Sequence, residues 1–246
     1  MNHRHQRWYS PSLGRPMDVA VFGDRGRPLL LFPTAGGDYL EADRMGLIDA
    51  VAEPLQEGLV RIYCCGSISG EGWLARDAHP AHKTWMQDRF DAYVAQELVP
   101  FIRHEGGDPQ LRLIAAGASL GAYNAVNIHL RHPDLFWLSI GMSGTYDFDR
   151  WMEGHRSELY YYHQPFQFLP NFPEGEQLSW LRRGFLHIAS GRGRWEAPAE
   201  SVRLGQLLGA KGIPNYIDLW GEDVDHDWPT WRTMLPVILR KRLTSP

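Results

Sequence analysis

Arg112-Leu113-Ile114-Ala115-Ala116-Gly117-Ala118-Ser119-Leu120-Gly121-Ala122 is the stretch on which the fold turns. Residues 112–117 are a short apolar run, the pattern of a strand buried on both faces of a parallel sheet. From Leu120 the pattern becomes helical and holds to residue 131, where His132-Pro133 stops it. Gly117-Ala118-Ser119-Leu120-Gly121 therefore puts a serine on a sharp strand-to-helix turn, in the spacing G-x-S-x-G. Glycines on either side let strand and helix approach closely, and the helix N-terminus offers free N–H groups to a developing negative charge. This context predicts Ser119 as a nucleophile. The backbone N–H of Leu120, next in the chain, is the expected first oxyanion donor.

Outward from this stretch, apolar runs alternate with helical patterns. Strands are predicted at 29–32, 59–65, 136–141, 185–191 and 215–221, and helices at 84–104, 199–211 and 229–243. Pro100 predicts a kink or break late in the first of these helices. Residues 7–10 and 18–22 read as an antiparallel hairpin. Repeated strand–helix alternation predicts an α/β fold: a mostly parallel, doubly wound sheet flanked by helices on both faces. Residues 145–184 break the rhythm with Tyr160-Tyr161-Tyr162 and many other aromatics. They are expected to form an insertion or cap over the strand ends within one domain, 1–246.

The chain's 246 residues carry a formal charge of −4, with 43% hydrophobic and 22% charged residues. That balance suits a globular core and argues against a nucleic-acid partner, whose phosphates need a basic face. No run reaches the roughly 18–20 apolar residues of a membrane span. The polar N-terminus shows no signal peptide, so a cytoplasmic location is expected. Cys64 and Cys65 are adjacent, point to opposite faces of a strand and are expected reduced, with at most one packed inside the sheet. The histidines lack metal-ligand spacing; Pro80 spoils a helical pairing of His79 and His82, and neither metal nor cofactor is expected. Arg182, Arg183, Arg192 and Arg194 form a basic stretch read as solvated surface.

A nucleophilic serine needs further partners. The loop Phe32-Pro33-Thr34-Ala35-Gly36-Gly37-Asp38 follows a buried strand and is rich in small residues, so Thr34 or Ala35 is expected as the second oxyanion donor. His226, the only histidine beyond residue 187, follows the last strand and is the expected base. Glu196 lies in the loop after the penultimate strand, giving the chain order Ser119, Glu196, His226. Asp223 is the alternative acid. Tyr39, Trp73, Trp195 and Trp228 are assigned to a substrate cleft, as part of an aromatic content of 12%.

From about residue 20 to residue 239 the sequence resembles the putative-esterase family, the branch of the α/β-hydrolases related to esterase D. The resemblance rests on Phe32-Pro33…Gly36-Gly37, Gly117 to Ala122, Met142-Ser143-Gly144, Lys211-Gly212-Ile213-Pro214 and Trp220-Gly221…His226-Asp227-Trp228. It implies cofactor-free hydrolysis of a small carboxylic ester by Ser119 and His226. Many relatives carry aspartate where Glu196 stands. An acyltransferase with the same triad and a catalytically silent binding protein are the alternatives; the oligomeric state, including a homo-oligomer, is left open.

Overall fold

The computed structural model describes residues 3–244. Its strands are β1 (Arg4–Ser10), β2 (Arg15–Phe22), β3 (Arg27–Phe32), β4 (Val60–Cys65), β5 (Leu113–Ala118), β6 (Phe136–Met142), β7 (Phe185–Ser190) and β8 (Asn215–Leu219). They form one sheet in the order β1-β2-β4-β3-β5-β6-β7-β8. β1 and β2 are the expected hairpin, longer at both ends, and β2 runs antiparallel to β4; every other pairing is parallel. This is the α/β-hydrolase architecture. The chain builds β4 on one side of β3 and then crosses to β5 on the other. That reversal opens a crevice at the carboxyl ends of β3 and β5, where ligands bind in such sheets.

The central strands are apolar throughout because both faces are covered. One face packs Leu29, Leu31, Ile114 and Ile140 against Met234, Leu235 and Ile238 of the C-terminal helix Trp228–Leu243. The other packs Leu30, Phe32, Leu113 and Ala115 against Phe90, Val94 and Leu98, and further along packs Leu186 and Ile188 against Tyr123 and Leu204. Cys64 joins the first core and Cys65 the second; both are buried and free. The expectation that at most one would be inside is corrected, since a doubly covered strand has no outer face.

The helix expected at 84–104 runs further, as Pro80–Tyr93, a wider π-turn at Val94–Leu98, and Val99–Gly106. Pro100 neither breaks nor ends it. A proline ring clashes with the carbonyl four residues earlier and removes a hydrogen bond; the widened turn lies where that bond would be. Residues 145–184 form short helical pieces, among them Glu158–Tyr162, Pro165–Phe168 and Glu176–Leu181. Their aromatics make a core: Tyr146, Phe148, Tyr160 and Phe168 pack with Trp73 and Tyr123. The Glu200 carboxylate ties the segment down by accepting the N–H groups of Tyr146 (2.6 Å) and Asp147 (3.0 Å).

Among the described residues no helix is long and apolar enough to cross a membrane, and no group of three or more potential ligands is gathered to hold a metal ion.

Candidate active site

Ser119 sits between β5 and the helix Leu120–Arg131 with φ 56° and ψ −122°. A non-glycine residue in this region carries strain of order 1–3 kcal/mol, tolerated when the surroundings fix it. The flanking glycines show how they do so. A Cβ at Gly117 would lie 2.3 Å from the carbonyl oxygen of Gly121, and one at Gly121 would lie 2.6 Å from the carbonyl oxygens of both Phe32 and Pro33. Helix, strand and the loop after β3 thus touch backbone to backbone, bringing that loop beside the serine. The Ser119 N–H donates to the Met142 carbonyl at 2.9 Å, which pins the turn to β6. Leu120, the first helical residue, has no intrahelical acceptor for its N–H.

The loop after β3 separates the two oxyanion candidates. Glu41 reaches back and accepts both the Thr34 N–H (2.8 Å) and the Thr34 hydroxyl (2.7 Å). With its N–H committed to the Glu41 carboxylate, Thr34 is the less available of the two expected oxyanion donors. Ala35 is exposed, and its N–H has no partner among the described residues. Glycine at 37 makes the arrangement feasible, because a Cβ there would lie 2.3 Å from the Glu41 carboxyl group.

The loops after β7 and β8, which carry Glu196 and His226, are zipped together. The N–H groups of Arg192, Gly193 and His226 donate to the carbonyls of Gly221 (3.1 Å), Val224 (3.0 Å) and Arg194 (3.0 Å). Asp225 accepts the Arg194 N–H at 2.7 Å and pairs with its guanidinium at 2.7 Å, which holds the Asp225 carboxyl below the usual range. Gly191 and Gly193 let the loops meet, since a Cβ on either would strike Val224 or Asp225 at 2.0–2.3 Å. Trp195 then turns the chain with φ 66°, its indole 88% exposed, and sends Glu196 back inside.

His226 lies between the two other residues. Its Nε2 is 3.0 Å from Ser119 Oγ, and its Nδ1 is 4.0 Å from Glu196 Oε2. With the ring proton on Nδ1, facing the carboxylate, Nε2 is the acceptor for the serine hydroxyl. Burial lowers the His226 pKa from 6.5, and the Glu196 and Asp227 carboxylates oppose that shift. The Glu196 side chain is fully buried and takes hydroxyl donors from Ser143 to Oε1 (2.5 Å) and Ser190 to Oε2 (3.0 Å). Trp231 donates its indole N–H to Ser143 Oγ at 3.0 Å and packs edge-on to His226, centroids 5.2 Å apart.

The neighbouring aspartates are otherwise engaged or outside. Asp225 pairs with Arg194, Asp227 caps the C-terminal helix by accepting the Trp228 N–H at 2.7 Å, and Asp223 is exposed. Of the residues assigned to a cleft, Trp73 is 1% exposed and donates to Gln87 at 2.9 Å. It is core, not cleft, a correction that follows from the aromatic packing of residues 145–184 around it. Tyr39 is half-buried and stacks on His5, Trp228 is half-buried against Trp231, and Trp195 is open. Arg182 and Arg183 precede β7 whereas Arg192 and Arg194 follow it, so the basic stretch is split between opposite ends of a strand. A cavity of about 780 Å³, lined by Arg27, Arg61, Arg112 and Trp137, likewise opens at the far end, where β3, β4, β5 and β6 begin.

Sequence reasoning gave no role to Glu41, Ser143, Ser190 or Trp231. Only Ser143 left a trace, in Met142-Ser143-Gly144, and that motif does not say what the hydroxyl touches.

The profile of the family described as "putative esterase" matches residues 68–242. Among solved structures, a ferulic acid esterase superposes with a TM-score of 0.74 at 17% identity, over 99% of this chain and 98% of its own. An S-formylglutathione hydrolase from Agrobacterium tumefaciens gives 0.73 at 13% identity over 99% of both chains. A fluorophosphonate-binding serine hydrolase from Staphylococcus aureus gives 0.70 at 14% over 99% of both. No curated protein matches the sequence. At these identities the superpositions speak to the fold, while the family match spans more than two thirds of the sequence. The chain belongs to the putative-esterase family and is a serine esterase built on the α/β-hydrolase fold.

Proposed function

We propose that this enzyme hydrolyses small carboxylic esters through a Ser119–Glu196–His226 triad and a covalent acyl-enzyme. The observation that carries the reading is the 3.0 Å approach of His226 Nε2 to a serine held at the strained strand-to-helix turn. Ser119 Oγ attacks the ester carbonyl carbon as His226 Nε2 takes the hydroxyl proton. The carbonyl electrons move onto oxygen, and the N–H groups of Leu120 and Ala35 receive the oxyanion. Collapse expels the alcohol, which leaves with the proton from Nε2. Water then repeats the sequence on the acyl-enzyme, giving its proton to His226 and releasing the carboxylic acid and free Ser119.

Glu196 has a single task in this scheme, to orient the ring with Nδ1 protonated and to stabilise the imidazolium. At 4.0 Å the resting contact is longer than a hydrogen bond. Catalytic hydrogen bonds commonly tighten only when the imidazole becomes charged in the substrate complex. Tyr39 on the loop after β3, Trp195 on the loop after β7 and Trp228 at the start of the C-terminal helix are the aromatics we assign to the substrate cleft. The names of the superposing enzymes, a ferulic acid esterase and an S-formylglutathione hydrolase, are consistent with acyl transfer to water at such a site.

A fluorophosphonate probe tests the proposal directly. Wild type should label at Ser119, and the label and turnover of p-nitrophenyl acetate should both vanish in Ser119→Ala. A folded protein that resists the probe, or a Ser119→Ala variant with full turnover, would remove the mechanism.

A further inference from the structure

We propose that Ser143 is a positioning residue for the acid, its hydroxyl locating the Glu196 carboxylate while Trp231 locates the hydroxyl. The inference rests on the triad reading above and adds to it residues outside the triad.

The backbone gives the first reason. Ser143 follows β6 with φ 50°, a conformation that glycine adopts without strain and serine does not. The residue is 2% exposed, and its N–H donates to the Ala189 carbonyl at 2.8 Å, fixing it against the end of β7. A side chain maintained at a glycine-like position points to a use for that side chain.

Proton counting gives the second. An indole N–H only donates, and Trp231 directs its own at Ser143 Oγ from 3.0 Å. The hydroxyl has one proton, and it lies on the line to Glu196 Oε1 at 2.5 Å. Ser190 is less committed, because its single proton is shared between the Gly191 carbonyl and Glu196 Oε2, both at 3.0 Å. Among the described residues no arginine, lysine or backbone N–H reaches this buried carboxylate. Ser143 is therefore the donor whose proton has no other destination.

The third reason is where the chain of contacts leads. Trp231 touches His226 with its ring edge and Ser143 with its N–H. One side chain thus sets the base and, through Ser143, the acid, across a gap of 4.0 Å that no direct hydrogen bond closes.

The test is steady-state hydrolysis of p-nitrophenyl acetate with a thermal melt for each variant. Ser143→Gly removes the hydroxyl while suiting the backbone, so its melting temperature should be unchanged or higher. Its kcat should fall roughly ten- to a hundredfold, the worth of one hydrogen bond to a charged group, with KM within about twofold. Ser143→Ala should show the same fall in kcat. Combining Ser143→Gly with Glu196→Gln should cost little beyond Glu196→Gln alone, because both act through the same carboxylate. Trp231→Phe, which keeps a ring against His226 but removes the donor, should lower kcat several-fold. Wild-type kcat in both Ser143 variants, with Glu196→Gln impaired, would overturn the role of Ser143 and leave the triad standing. Wild-type kcat in Glu196→Gln would overturn the acid assignment itself. Fully additive losses in the double variant would show that Ser143 acts elsewhere.

Discussion

Glu196→Asp is a conservative change that this site should not tolerate. The glutamate carboxylate reaches the end of its pocket: Oε1 meets Ser143 at 2.5 Å, Oε2 meets Ser190 at 3.0 Å, and Oε2 stops 4.0 Å from His226 Nδ1. Shortening the side chain by one carbon–carbon bond withdraws the carboxylate by roughly 1.5 Å, to about 5.5 Å from Nδ1, beyond both serine hydroxyls as well. The loop has little freedom to follow, since Gly191 and Gly193 lie against Val224 and Asp225 with no room even for a Cβ. The aspartate variant should therefore behave almost as if the acid were absent. Loss of a triad acid costs roughly 10²–10⁴ in kcat, or about 3–5 kcal/mol of transition-state stabilisation. Asp223→Asn is the control: Asp223 is exposed and should give kcat within about twofold of wild type. The assay is kcat on p-nitrophenyl acetate, with circular dichroism to establish folding. A Glu196→Asp enzyme retaining more than about a third of wild-type kcat would refute the geometric reasoning, as would a larger loss in Asp223→Asn.

Further expectations follow from the same geometry. With neutral His226 as the proposed base and burial disfavouring its charged form, kcat/KM should rise with pH through a midpoint below 6.5 and then level off; a midpoint at or above 6.5 contradicts this. Glu41→Ala frees the Thr34 N–H and loosens the loop that carries Ala35, so kcat should drop at least about tenfold, with loss of a whole oxyanion donor, roughly 10²–10³, as the ceiling. Unchanged kcat in that variant would detach Glu41 from the site. Gly121→Ala drives a Cβ to 2.6 Å from two carbonyl oxygens. Overpacking of this kind costs about 1–3 kcal/mol, which a melt should register as a loss of roughly 2–12 °C; a melting temperature equal to wild type would mean the turn can open.

The sequence made the sheet legible because each central strand is covered on both faces and so is written as an unbroken apolar run. Ser119 was legible because strand, small residues and helix succeed one another without interruption, and His226 because nothing competes with it near the C-terminus. What escaped depends on contacts between distant residues. Thr34 and Ala35 are equivalent until Glu41 folds back and takes one N–H, and nothing in the residue types announces that choice. Trp73 reads equally well as cleft or core; Tyr123 and Phe148, packed around its indole, settle it in favour of core. Pro100 carried a true local rule, that a helix cannot pass a proline with regular bonding. The wider turn at Val94–Leu98 obeys the rule and still lets the helix continue.

The two cysteines offer a use that no catalytic argument needs. Cys64 and Cys65 are joined by one peptide bond, yet each belongs to a different hydrophobic layer, and burial raises both thiols, that of Cys65 to about 12. Neither reacts while its layer is closed. A thiol reagent followed by mass spectrometry therefore times the opening of each layer separately: Cys64 reports the side carrying the C-terminal helix, Cys65 the side carrying residues 80–106. Unequal labelling would identify which side of the sheet breathes first, and equal labelling would mean that the two open as one cooperative unit. The enzyme thus contains, in two consecutive residues, a pair of clocks on opposite sides of the same strand.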